Sequence, residues 1–362
     1  MRKLKKLIRS PGVFFRDYFN KRYPNINCEQ AYTEDDENIV LKSSLLQVTL
    51  EPKNLLDVDV VFTWVNGSDS KWQAKKQKFV QQSEKALYAN NSARFENHNE
   101  LYYAVLSVKK YLPWVRKIFI VTDQQIPDWL PIDDPKICLI DHTEIIDKEF
   151  LPTFNSHVIE AHLHRIKDLS EHFIYFNDDV FVAKPLDKTH FFRANGIASL
   201  FLANKSLSQM KNKGIMTPTL SASLGAIQLL QREYNHYIDM PLVHSYIPLR
   251  KSSFEQVWQK YSKEIHNFLP NKFRTNSDLN LASFFVPWVM YLEAKATYTP
   301  EICYYFNVRS PNALQQYKKL LHKKTQPLAP HSFCANDFAS DTQQVKEYQR
   351  HLEITLKQYF ID

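Results

Sequence analysis

The stretch Val58-Asp59-Val60-Val61-Phe62-Thr63-Trp64-Val65, followed at once by Asn66-Gly67-Ser68-Asp69, decides the fold. Its near-continuous apolar, β-branched character is that of a strand buried on both faces of a parallel sheet, and the polar tetrapeptide reads as a turn. The same pattern recurs at Lys117–Thr122, Lys136–Ile140 and His172–Phe176. Between these runs, Leu101, Val105, Val108 and Leu112 mark one face of a helix stopped by Pro113, and Ile159, Leu163 and Ile166 mark another. Strand and helix in alternation predict an α/β domain with a mostly parallel sheet. In such sheets ligands bind beyond the carboxyl ends of the strands. Asn66–Asp69, Asp123 and Asp178-Asp179 all fall there.

Outward from this core the chain divides into four parts. Residues 1–24 form a basic amphipathic segment, rich in Lys and Arg with one acid, Asp17, and with aromatic anchors such as Phe14, Phe15 and Phe19. It suits docking on an anionic membrane or a partner, the alternative being a helix packed on its own domain. Residues 25–56 read as a linker, with one strand over Ile39–Leu50. Residues 57–205 are the α/β core, in which Asp69 is placed to cap a Lys-rich helix over Lys71–Leu87. Residues 206–362 are mainly helical, with helices expected at 218–233, 254–267, 277–293 and 341–359.

Composition removes several classes of function. The 362 residues hold five glycines, where average usage of about 7% would supply about 25. They are too far apart for any Gly-rich phosphate loop, so nucleotide phosphates must be held by another device. Cys28, Cys138, Cys303 and Cys334 form no C-x-x-C pair, which excludes a zinc knuckle or redox dithiol and suits a reducing cytoplasm. No apolar run approaches the roughly 18 residues of a membrane span, the longest being Ala282–Leu292 with Pro287 inside it. With no secretory signal at the N-terminus, a cytoplasmic location is expected. The net charge of +7 is concentrated at the N-terminus rather than along an aromatic-studded groove, so nucleic acid is not an expected partner.

Asp178-Asp179 at a strand end is the sharpest local signal. Adjacent carboxylates repel, and a cation such as Mg²⁺ lowers the cost of keeping both ionised; a solvated turn is the plain alternative. His157, His162 and His164 lack the i, i+4 spacing of a helical zinc pair. Glu160 and His164 either pair on a helix surface or meet a phosphate or sugar. Arg94, His244 and Arg274 carry no signal alone, although an Arg fork suits a phosphoryl group and a His suits proton transfer near neutral pH.

Taken together these blocks resemble the Stealth family of hexose-1-phosphate transferases. The resemblance runs from Asp59–Asp69, through Arg94-Phe95, Asn99-Glu100-Leu101, Pro113–Ile118, Val121–Asp123, Gln125–Leu130, Leu151–Ser156 and Phe173–Val180. It continues in His244–Asp278 and in Phe333–Asp337, but the chain ends Tyr359-Phe360-Ile361-Asp362 without the family's closing tail. It implies a Rossmann-like, glycosyltransferase-A-like α/β core with helical C-terminal additions. The implied reaction moves a sugar 1-phosphate from a nucleotide sugar, UDP-linked by expectation, to a hydroxyl of an oligosaccharide or polysaccharide acceptor. A nucleoside monophosphate leaves. The alternative is a conventional metal-dependent glycosyltransferase attacking the anomeric carbon. The resemblance assigns catalysis to His244, Arg274, Asp178 and Asp179, and Mg²⁺ or Mn²⁺ to Asp178, Asp179 and Asp337. It assigns substrate binding to Asn66, Gly67, Asp69, Arg94, Asn99, Glu100, Asn155, His164, Arg165 and Asp278. It also implies a bacterial capsule enzyme at the cytoplasmic face of the inner membrane, held through residues 1–24 to membrane or capsule machinery.

Overall fold

The computed structural model describes residues 33–50, 53–80, 98–130, 134–212, 216–326, 328–337 and 345–362, together with Phe95 and isolated positions before residue 19. The strands in chain order are β1 (Val58–Thr63), β2 (Ile118–Thr122), β3 (Ile137–Asp141), β4 (His172–Asn177), β5 (Val180–Val182), β6 (Ala198–Leu200), β7 (Ile247–Arg250), β8 (Ala296–Tyr298), β9 (Cys303–Asn307) and β10 (Ser332–Asn336). The main sheet has the order β3-β2-β1-β4-β7. β1 pairs in parallel with both β2 and β4, β2 pairs in parallel with β3, and β7 closes the edge antiparallel to β4. A mostly parallel α/β sheet is therefore what the sequence folds into.

β1 owes its central place to its composition. Val58, Val60, Val61 and Phe62 are fully buried, so neither face of the strand meets water. Asp59 interrupts this apolar run and is equally buried. Its carboxylate accepts from Arg116 Nε at 3.0 Å and Nη2 at 2.6 Å, and from the backbone N–H groups of Lys117 and Ser170. A buried charge is tolerated where its lone pairs are filled in this way.

The chain runs outward from β1 to β2 and β3, then crosses back to lay β4 on the other side of β1. That reversal is a topological switch point, and it opens a crevice beyond the ends of β1 and β4, where Thr63 is in register with Asn177. Beyond β4 the chain passes through Asp178 and Asp179 directly into β5, the first strand of a second sheet ordered β5-β10-β9. The backbone N–H of Ala335 donates to the Asp179 carbonyl at 3.0 Å, and Cys334 is in register with Val180. The two carboxylates are thus the joint between two sheets.

Three expectations change. The strand expected over Ile39–Leu50 is instead part of a helix, Glu34–Leu50. Four acids in its first turn favour the positive helix start, and the Thr33 hydroxyl accepts from the Asp36 N–H, so local capping overrides the β-branched composition. Leu41, at 1% exposed, anchors this helix in the main core. The helix expected at 254–267 is two, Lys251–Lys260 and Ser262–Phe268, parted at Tyr261. The helix expected at 277–293 starts as a π-turn, Leu281–Phe285, and continues as Val286–Leu292, the wide turn lying just ahead of Pro287, which has no N–H to give the helical ladder. The helix Pro218–Tyr234 stands as expected, and the last helix spans Tyr348–Phe360. The 206–362 part also supplies β7 to the main sheet and β9 and β10 to the second, so both sheets join it to 57–205. The basic segment 1–24 lies mostly outside the described residues. Among the described residues, no helix is long and apolar enough to cross a membrane.

Candidate active site

The switch point gathers acids. Asp178 and Asp179 follow β4, and Glu100 opens the helix Glu100–Tyr111 beside them. Burial, then the neighbouring charges of Asp179 and Glu100, push the Asp178 carboxyl well above the usual carboxylate range. Burial raises Glu100 to about 7, against the opposing pull of His98, and Asp179 adds to the rise. Three carboxyl groups crowded like this cannot all ionise without a counter-charge. Oδ1 of Asp179 is buried with no hydrogen-bond partner among the described residues. Its carboxylate, a ring nitrogen of His244 and Sγ of Cys334 come within 4.8 Å of one another. Cys334 lies 3.4 Å from Oδ2 of Asp179, which also accepts from Asn336 Nδ2 at 3.1 Å. Crowded carboxylates and an orphaned oxygen fit a hard divalent cation such as Mg²⁺; the thiol does not suit it as a ligand.

Asp337, at the end of β10, is held differently. Arg309 grips both its oxygens, Nε on Oδ1 and Nη2 on Oδ2 at 3.0 Å, and His98 Nε2 lies 3.0 Å from Oδ2. Burial alone would raise this carboxyl, but His98 and Arg309 outweigh it and hold it below the usual range. Tyr348 covers the group, its ring 4.6 Å from the Arg309 guanidinium and edge-on to His98. His98 in turn donates its backbone N–H to Glu100 Oε2 at 2.5 Å, so the Asp337 cluster orients the acid that flanks Asp178.

Arg274 stands on a loop built by buried polar groups. Its Nε donates to Ser156 Oγ at 2.9 Å, Nη2 reaches the same oxygen, and Nη1 donates to Thr219 Oγ1 at 3.2 Å. Beneath it, Asp278 accepts from Asn155 Nδ2, Asn271 Nδ2, and the backbone N–H and hydroxyl of Thr275, and pairs with His157 Nδ1 at 3.0 Å. Asp278 and Asn155 are at most 1% exposed, so they hold the loop in shape. The fields of Arg274 and Asp178 both reach the buried Tyr175 hydroxyl, which lies 3.0 Å from Thr63 Oγ1 and donates to Asn177. Arg274 and Asp178 thus both act on Tyr175.

The turn after β1 is locked from outside. The Gln125 side chain accepts from the Asn66 N–H at 2.8 Å and donates to its carbonyl at 2.9 Å, and Asn66 Oδ1 accepts from Ser68 N. Asp69 Oδ1 accepts from Trp72 N at 2.7 Å, the expected cap of the helix Ser70–Val80. A Cβ on Gly67 would lie 1.9 Å from the Phe95 carbonyl oxygen, so only glycine fits. Asn99, exposed in a left-handed conformation, precedes the Glu100 helix and makes no side-chain cap.

His164 and Arg165 join none of these contacts. His164 is stacked on Phe254 and set against Trp258, and burial drives it down to about 3; Arg165 pairs with Asp147 at 2.9 Å and lies over Trp258. Arg94 lies outside the described residues. Sequence reasoning missed His98 and Arg309, whose partner Asp337 is 239 and 28 positions away, and gave Ser156 and Thr219 no separate part. The spacing of the motifs holds no signal that would have found them.

Residues 56–84 match the model for Stealth protein conserved region 1, and residues 94–200 match that for conserved region 2. The chain is 57% identical over 365 residues to the capsular polysaccharide phosphotransferase LcbA of Neisseria meningitidis, covering 99% of this chain and 100% of that one. The chain belongs to the Stealth family. A capsular polysaccharide phosphotransferase of Haemophilus influenzae is 55% identical with 99% and 100% covered. An exopolysaccharide phosphotransferase of Streptomyces coelicolor is 31% identical over 84% of this chain and 51% of its own. Among solved structures, the galactosyltransferase LgtC covers 82% of this Stealth chain and 95% of its own at 10% identity, with a TM-score of 0.41.

Proposed function

We propose that this Stealth chain transfers a sugar 1-phosphate from a nucleotide sugar, UDP-linked, to a hydroxyl of a growing capsular polysaccharide. The acceptor oxygen bonds to the sugar-proximal phosphorus, the bridging phosphoanhydride bond breaks, and the nucleoside monophosphate leaves with the electron pair. The observation that carries this reading is the crowding of Glu100, Asp178 and Asp179 at the switch point with one carboxylate oxygen left over, in a chain alike end to end to capsular polysaccharide phosphotransferases.

Asp178 and Asp179, with Glu100 beside them, would hold Mg²⁺ or Mn²⁺, which neutralises diphosphate charge when bound. Asp337, with both oxygens occupied, anchors His98 and Arg309 and so places Glu100. Arg274 presents a fork oriented by Ser156 and Thr219 to the equatorial phosphate oxygens. His244, beside Asp179, takes the acceptor proton. Asn66–Asp69, with Arg94 and Asn99, line the donor side, while Asn155 and Asp278 act by positioning Arg274. The parts 57–205 and 206–362 function as one body because the sheets bridge them. Residues 1–24 hold the enzyme at the cytoplasmic face of the inner membrane, and no nucleic acid takes part.

Incubation with a panel of nucleotide sugars and short capsule fragments tests the reading. A ³¹P phosphodiester signal with release of nucleoside monophosphate is expected. A nucleoside diphosphate product with no new phosphodiester would instead establish a conventional glycosyltransferase. Deleting residues 1–24 should move the chain out of the membrane fraction; unchanged fractionation would remove the anchoring part.

A further inference from the structure

A second group of metal-ligand side chains lies in the interior behind the site. Glu301 and His331 stand just ahead of β9 and β10, and His190 ends the short turn Lys188–His190. The Glu301 side chain has no exposure, His331 is 1% exposed, and His190 is 7% exposed. His190 Nε2 lies 2.9 Å and His331 Nδ1 3.3 Å from the same Glu301 oxygen, Oε2, and the three ligand atoms all fall within 4.8 Å of one another. Donors around a tetrahedral ion with bonds of about 2.1 Å stand about 3.4 Å apart, so these separations are those of a coordination shell.

Hydrogen bonding alone accounts poorly for this arrangement. The backbone N–H of Ile302 points at His331 Nδ1 from 3.2 Å, and a ring nitrogen has one in-plane position, so Nδ1 cannot both accept there and donate to Glu301 Oε2. The other carboxylate oxygen is already filled by the Ser332 hydroxyl at 2.5 Å. When Nδ1 accepts from Ile302, two acceptors face each other at 3.3 Å, an arrangement that a cation between them would relieve. Among the described residues no Lys or Arg comes within ion-pair distance of Glu301; Lys184 feels its field from farther away. A carboxylate buried between imidazoles, with no Lys or Arg against it, is costly unless a cation completes it.

We propose that His190, Glu301 and His331 bind a divalent transition metal, zinc in class, with the Tyr246 hydroxyl, 3.0 Å from His190 Nε2, as the neighbouring oxygen. Its role is to clamp the starts of β9 and β10, whose far ends carry Arg309 and Asp337. Ser332 faces this cluster and Cys334 faces Asp179, two residues apart on one face of β10, so the clamp lies about 7 Å behind the catalytic acids. This site does not depend on which reaction the chain performs.

The test is elemental analysis of the full chain, purified without chelator or a histidine tag, with parallel reconstitution of the stripped chain with Zn²⁺ or Co²⁺. Retained transition metal near one per chain is expected, with a raised melting temperature and, for Co²⁺, visible ligand-field absorption. Glu301→Gln and His331→Gln should weaken retention by at least roughly 10–100-fold, the loss that removal of an outer-sphere partner alone produces. Asp179→Asn should leave retention unchanged. A wild-type chain that neither retains nor takes up Zn²⁺ or Co²⁺ overturns the proposal and leaves a proton between Glu301 and His331. So does metal lost in Asp179→Asn but kept in Glu301→Gln. If the Glu301 and His331 variants do not fold, the Co²⁺ spectrum of the wild-type chain and of Asp179→Asn still decides.

Discussion

Asp278→Ala should loosen the Arg274 loop before it touches any chemistry, and its cost follows from counting what is stranded. Asp278 receives hydrogen bonds from four residues, but they are not equally dependent on it. Asn155 Nδ2 also reaches the carbonyls of Asn271 and Phe273, and Asn271 Nδ2 and the Thr275 hydroxyl also reach each other. His157 Nδ1 and the Thr275 N–H have no alternative acceptor among the described residues, so one buried and one part-buried donor are orphaned. At about 1–3 kcal/mol for each, the loss is about 2–6 kcal/mol, in line with the roughly 3–5 kcal/mol for breaking a buried charged pair. Urea unfolding at pH 7 should show a lower midpoint at unchanged slope. Asp278→Asn, which keeps one oxygen and the volume, should fall between. Burial alone would raise the Asp278 carboxyl, yet His157, Asn271 and Thr275 hold it below its ordinary value. Its contribution is therefore complete above about pH 4 and lost as pH falls through the lower folded value, so the gap between wild type and Asp278→Ala should narrow in acid. Steady-state kinetics of the folded fraction should show kcat falling more than KM rises, because the Arg274 fork is misaimed. An unchanged midpoint at neutral pH would refute the reasoning, since the network would then add nothing.

Other outcomes follow from the same geometry. Gly67→Ala drives a methyl into the Phe95 carbonyl and should cost about 1–3 kcal/mol with loss of donor affinity, read by denaturation and by KM for the nucleotide sugar. The raised Glu100 carboxyl destabilises the cation-free fold as pH climbs from about 4.5 to about 7. Metal-free Glu100→Gln should therefore gain on wild type across that window, up to about 3 kcal/mol by calorimetry or urea titration. Divalent-cation affinity of the wild type should rise with pH over the same range, and calorimetric titration at pH 5.5 and 8 would show no difference if the acids were independent. His244→Ala should keep its circular dichroism and lose roughly 10²–10⁴-fold in kcat. Arg274→Lys, which keeps the charge and loses the fork, should remain well below wild type in kcat, and near-wild-type turnover would demote Arg274 to a structural part.

What the sequence reveals here divides by distance along the chain. Val58–Thr63 and His172–Asn177 are legible as buried parallel strands because burial on both faces leaves a continuous apolar run, and Asp178-Asp179 is legible because two acids are adjacent. The helix Glu34–Leu50 is misread because its β-branched residues are visible one by one, whereas the cap and the acid-rich first turn that outweigh them act together. β9 and β10 are short, and each finds its pairing partner only through the fold. Asp337 is legible as an acid near the site, but its partners are not, because Arg309 and His98 arrive from the turn after β9 and from the approach to the Glu100 helix. Asp278 and Asn155 show the same limit: motif membership marks them, and only burial reveals that they serve Arg274.

The two-residue passage from β4 to β5 also constrains how this chain can vary in length. Loops elsewhere on the carboxyl side can grow or shrink, since longer connections cost little. At Asp178-Asp179 an insertion or deletion of one residue would slide β5 one place along β10 and turn Val180, Phe181 and Val182 inside out. Any such lesion would also change which carboxylate faces the crevice. The segment joining the sheets is therefore a fixed-length splice, and insertions that diversify donor or acceptor choice must be carried by other loops.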